Sequence, residues 1–218
     1  MGKFKAFNLF FSLFIVISLS VFCFTGCMQV VPEVAETDTS VIFEYSDDEK
    51  PNVRLSVFAH SLSDVRRYDN LELSCEGSDF CWETSDLAII SDGNYDWVGN
   101  TNFIVPEGYI IPTGIYEMTF INADGESESI NVKIDYDEKY YSLNQVQAEE
   151  EAKRDGGRKR IAIYNYDKIL VYFGQQTENL KTEFNIREVY RDAKYYQYVY
   201  LVPSKGVVCI LKEIEMED

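Results

Sequence analysis

The chain has 218 residues, with 37 Asp and Glu against 20 Lys and Arg and a single His, giving a formal charge of −17. This acidity argues against any protein that holds a phosphate backbone by counterion release, so no nucleic-acid partner is expected. A 46% hydrophobic and 15% aromatic content is too apolar for disorder, and one His leaves no multi-His metal site and little room for His-based catalysis.

In chain order, Lys3 and Lys5 form a short basic start, followed by the uncharged run Leu9 to Phe24. Its 16 residues are short for a bilayer span, which takes about 20. Thr25, Gly26 and Cys27 follow at once, so residues 1–26 read as a secretory signal. Phe24-Thr25-Gly26-Cys27 resembles the lipobox of bacterial lipoproteins, with a bulky Phe where Leu is usual. The resemblance implies cleavage before Cys27, acylation of that residue (palmitate among the chains), and a protein lipid-anchored to a membrane of the cell envelope, periplasmic or surface-exposed. Two or more acyl chains hold a protein stably where one does not. Loss of residues 1–26 removes two Lys and no acid, taking the charge to −19. Residues 27–50 are expected to form an acidic tether, with Pro32, many acids and the solvated run Glu44 to Glu49.

From Pro51 the pattern turns β-like. Val53, Leu55 and Val57 alternate with polar residues, as do Leu71 and Leu73; Phe80-Cys81-Trp82 and Leu87 to Ile90 follow, with turn signals between them. Ile111-Pro112-x-Gly114-x-Tyr116 opens a strand continued by Met118 and Phe120. Asn122-Ala123-Asp124-Gly125 turns it, and Ile130, Val132, Ile134 and Tyr136 run back. This hairpin resembles the last two strands of Ig-like and fibronectin-III-like modules. The resemblance implies an Ig-like antiparallel β-sandwich over residues 51–137, with Tyr116 as a tyrosine corner and Trp82 in the core. Cys75 and Cys81 are candidates for a disulfide worth about 2 kcal/mol, the alternative being two reduced thiols. Cys209, within Val207 to Leu211, reads as a buried free thiol.

Residues 138–160 are expected to be a helical connector, with Ser142 as N-cap, Gln145 at N3 and Gly156-Gly157 as the stop. Arg158-Lys159-Arg160 is the one basic run, read as a solvated edge. Residues 161–218 form a small tyrosine-rich, β-rich (α+β in the alternative) module. Ile161 and Ile163 pair with Ile169, Val171 and Phe173 around Asn165-Tyr166-Asp167, and a second hairpin turns at Pro203 to Gly206. Residues 177–193 fit either helix or strand, and the alternation of Thr182, Phe184 and Ile186 favours strand. Tyr196, Tyr198 and Tyr200 share one strand face and are the candidate binding residues, either a platform for a sugar or partner strand or half-buried filler.

No nucleophile elbow, zincin, phosphate-binding loop or dinucleotide motif occurs. Asn122-x-Asp124-Gly125 is a fragment of a calcium loop, with Phe120 at the first ligand position, and reads as a turn. No cofactor, metal or catalytic residue is therefore expected. The expected function is a non-catalytic binding or scaffolding lipoprotein with a protein or glycan partner. A carbohydrate-active hydrolase or a surface adhesin stands as the alternative.

Overall fold

The computed structural model describes residues 33–47, 50–91, 93, 95–106 and 108–217; the expected signal sequence and Cys27 lie outside them. Thirteen strands are described: β1 (Val34–Glu44), β2 (Asn52–Ser61), β3 (Tyr68–Cys75), β4 (Cys81–Thr84), β5 (Ala88–Ser91), β6 (Asp96–Ile104), β7 (Gly114–Asn122), β8 (Ser127–Ile134), β9 (Arg158–Asn165), β10 (Leu170–Gly174), β11 (Ala193–Val202), β12 (Val207–Ile210) and β13 (Ile214–Glu215). Two helices, α1 (Gln145–Arg154) and α2 (Glu183–Val189), join them. The fold is mainly β and packs as a sandwich. A large curled sheet has the order β10-β9-β11-β12-β1-β2-β6-β5, with β13 beside β11, and a small sheet has the order β4-β3-β7-β8. No helix among the described residues is long and apolar enough to cross a membrane.

Alternation builds the interface between the sheets. Tyr116, Met118 and Phe120 on β7 face inward with Val132 and Ile134 on β8, against Val41 and Phe43 of β1 and Leu55 and Val57 of β2. On β3 a register break between Tyr68 and Asn70 shifts the period by one residue, so Tyr68, Leu71 and Leu73 can all be buried. The expected hairpin is present, with Gly114 opposite Ile134 and Ile121 opposite Ser127. The Tyr116 hydroxyl donates to the Pro112 carbonyl at 2.7 Å, the local bond of a tyrosine corner. Trp82 stacks on Tyr116 with ring centres 6.1 Å apart, and its indole N–H donates to the Ile104 carbonyl at 2.6 Å.

Four expectations are corrected. The acidic tether does not extend through residue 50, because Val34–Glu44 is β1, in the middle of the large sheet. It pairs antiparallel with β2 and parallel with β12, Val41 lying opposite Val207 and Phe43 opposite Cys209. Its first half is polar and half-exposed, and only Val41, Ile42 and Phe43 are fully buried, so its own sequence shows little period. The C-terminal module is likewise not separate: β11 and β12 continue the same sheet, and Tyr200, Val202, Val207, Cys209 and Leu211 belong to the same core as Leu55 and Met118.

The α1 cap sits two residues later than expected. Asn144 is the N-cap, and its side chain and that of Gln147 bond each other's backbone N–H. Ser142 is engaged elsewhere, its hydroxyl donating to the Lys139 carbonyl in a 3-10 turn over Glu138–Ser142. Residues 177–193 are helical rather than extended. A 3-10 turn covers Glu178–Leu180, Thr182 caps α2 by accepting from the Asn185 N–H, and Leu180 and Ile186 point into a second small core.

Candidate functional site

The Cys75–Cys81 disulfide is not formed. Ser74, not Cys75, lies opposite Cys81 in the β3–β4 register, so the two thiols lie on opposite faces of the sheet. Cys75 is buried beside Tyr116 and Cys81 is exposed. Cys209 is buried as expected, and burial, with Asp155 adding, pushes its thiol up to about 12, well away from a reactive thiolate.

Tyr196, Tyr198 and Tyr200 share a face of β11, on which Tyr200 is buried and Tyr196 and Tyr198 are half-buried. Tyr200 is 1% exposed and donates to the Glu149 carboxylate of α1 at 2.8 Å. Tyr198 lies beneath the Lys159 ammonium, 3.4 Å from its ring centre, and accepts from the Gln176 amide at 3.3 Å. Tyr196 packs edge-on to Tyr198 and against the core around Ile186. The face that looked like a binding surface is where α1 and α2 dock. The basic run is also partly used, since burial under this face lowers the Lys159 ammonium below the usual lysine range.

The densest charge cluster ties the connector to the sheet. The Lys139 ammonium lies 2.5 Å from Glu151, 3.0 Å from Asp155 and 3.1 Å from Asp137, while Lys205 reaches Asp137 at 3.4 Å. Desolvation raises the Asp137 carboxyl, but the bonds from Lys139 and Lys205 outweigh it and hold it below the usual carboxylate range. Asp155 is lowered in the same way, with Lys139 and the Tyr140 hydroxyl overcoming desolvation. Asp135, Asp137 and Glu138 line an open cleft of about 520 Å³. A lowered carboxyl there is the opposite of what a proton-donating acid needs. No group of three His, Cys, Asp or Glu side chains able to hold a metal occurs among the described residues.

An open apolar surface lies at one end of the large sheet. β10 pairs with β9 alone among the described residues, Phe173 lying opposite Ala162 and Gly174 opposite Ile161. Tyr172 turns inward against Tyr190, ring centres 5.5 Å apart. Its neighbours stay out: Ile169 is 59% exposed, Leu170 51% and Phe173 50%. On α2, Ile186 is buried while Phe184 is 70% exposed. Residues 158–218 carry ten Lys and Arg against nine Asp and Glu, whereas residues 1–157 carry ten against 28. The apolar edge therefore lies in the near-neutral part of an acidic chain. Sequence reasoning found this strand but not its exposure; the available signal was that Ile169 to Thr177 holds no charge and no Pro.

No protein-family model matches the chain, and the search of curated proteins found no match.

Proposed function

We propose that this is a non-catalytic lipoprotein of the bacterial cell envelope, held to a membrane through Cys27 and working as a binding or scaffolding module. The observation that carries the binding role is β10, an apolar end strand that pairs with β9 on one side and whose outer edge has no partner among the described residues. An open edge presents unpaired backbone donors and acceptors, and extended segments of other chains recognise them by adding a strand. The anchoring role is supported by the basic start, the apolar run and the Thr25-Gly26-Cys27 motif. The acidity of the mature chain keeps its body away from anionic headgroups while the acyl chains hold the tether.

Two measurements test this. Wild-type protein should partition with membranes, and Cys27→Ser or signal-peptidase inhibition by globomycin should release it; unchanged partition overturns the lipid anchor. A photo-crosslinking residue at position 173 should capture protein in intact cells. Capture of nothing, or of sugar alone, overturns protein binding at this edge.

A further inference from the structure

We propose that β10 pairs with β10 of a second copy of this chain, antiparallel about a two-fold axis, so that the large sheet continues through both molecules. This deepens the binding reading by naming the partner, and rests on it.

A sheet edge that must stay solitary is normally blunted by a very short strand, a bulge, Lys, Pro, an inward charge or a covering loop. β10 is five residues long and carries a bulge, but no charge or Pro guards it: Ile169 to Thr177 is an uncharged run without Pro. Its one irregularity is a register break against β9 between Leu170 and Tyr172, which leaves Tyr172 to Gly174 in regular pairing. Exposed apolar side chains stand along it, at Leu170, Val171 and Phe173.

Charge selects a second copy as the occupant. Like molecules of formal charge −17 repel, so self-association needs a surface where that charge is absent, and residues 158–218 are close to neutral. Antiparallel pairing centred near Tyr172 sets Lys168 across from the uncharged Gln176 of the other copy, so no like charges face each other. The remaining sheet ends differ. β5 shows Ile89 and Ile90, but it is four residues long, follows Asp86 by two positions and ends at Ser91 opposite Asp96. Two copies meeting there would bring carboxylates together. β4 carries Glu83, and β8 carries Glu128 and Lys133.

The test is sedimentation equilibrium of the full chain in density-matched detergent across a hundredfold concentration range, with Val171→Lys, Phe173→Lys and the β5 control Ile89→Lys. All three sites are exposed, and circular dichroism and melting curves verify that each variant folds. The expected result is a reversible dimer whose dissociation constant rises roughly tenfold or more in both β10 variants, because each sets a Lys opposite an apolar side chain of the other copy and diagonal to that copy's own new Lys, and stays unchanged in Ile89→Lys. A wild-type monomer at every concentration, or a dimer indifferent to both β10 changes, overturns the proposal. A monomer that still captures another envelope protein from position 173 overturns self-pairing and leaves the binding reading standing; a monomer that captures nothing overturns both.

Discussion

Lys139 shows how one side chain can hold several elements. Its ammonium meets Asp137 from its own turn, Glu151 of α1 and Asp155 at the C-cap of α1. Desolvation lowers its pKa, but Asp155 and Asp137 outweigh that and raise it above the usual lysine value. The lowered carboxyls of Asp137 and Asp155 contribute stability above the unfolded carboxylate pKa near ~3.9, lost as pH falls through their folded values. The raised Lys139 contributes below ~10.4, and that part is lost as pH rises through its folded value. Lys139→Met should destabilise the protein by about 1–2 kcal/mol at neutral pH, less than a fully buried pair because the side chain is 34% exposed. In urea titrations its gap from wild type should narrow below pH ~4, where the carboxylates protonate. A constant gap down to pH ~2 would mean packing, not charge, sets the loss. Local chemistry of this kind was partly readable. Tyr116 and its Pro112 bond lie within four positions, whereas nothing near Lys139 in the chain announces Glu151 and Asp155.

At the scale of elements, close approach of strands decides which residues are tolerated. Gly99 on β6 lies opposite Phe58 on β2. A Cβ there would sit 2.0 Å from the Val57 carbonyl oxygen and 2.7 Å from the Phe58 Cα, both backbone atoms that cannot swing aside. Gly99→Ala should therefore force β2 and β6 apart and cost about 3 kcal/mol, the upper range for overpacking. A denaturation midpoint within error of wild type would contradict that register. The same scale explains the misread segments. In residues 177–193 the alternation of Thr182, Phe184 and Ile186 mimics a strand, yet Thr182 caps α2 and only Ile186 of the three is buried. β1 is the converse case. Its polar first half has no reason to be extended until β2 lies beside it, and β12, from later in the chain, pairs only with Val41–Glu44.

Across the whole molecule, one core joins both ends of the chain. Val41, Phe43 and Tyr45 pack in a single cluster with Leu55, Leu71, Met118, Val202, Cys209 and Leu211. A fragment of residues 51–137 would keep β2 but lose β1 beside it and the apolar side chains of β11 and β12. Such a fragment should show no cooperative melting, and the full chain should unfold in one transition. Release of a protease-resistant 51–137 piece would contradict this shared core.

The sequence by itself determined the short-range features: the β7–β8 hairpin, the Tyr116 corner, the stop after α1, the turn between β11 and β12, and the apolar positions that alternate inward. Each depends on residues within a few positions of one another, where turn chemistry and side-chain period act directly. The reading of Cys27 as a lipid anchor rests on the same local kind of signal. Only the tertiary structure decided that residues 34–44 are a central strand, that Cys75 and Cys81 face apart, that Tyr200 is buried while Tyr196 and Tyr198 are half-buried, and that β10 ends the sheet exposed. These outcomes are set by which distant strand or helix arrives as a neighbour. Burial is a property of the neighbour as much as of the residue, so a period of two in the sequence cannot say which face is covered or which edge is last.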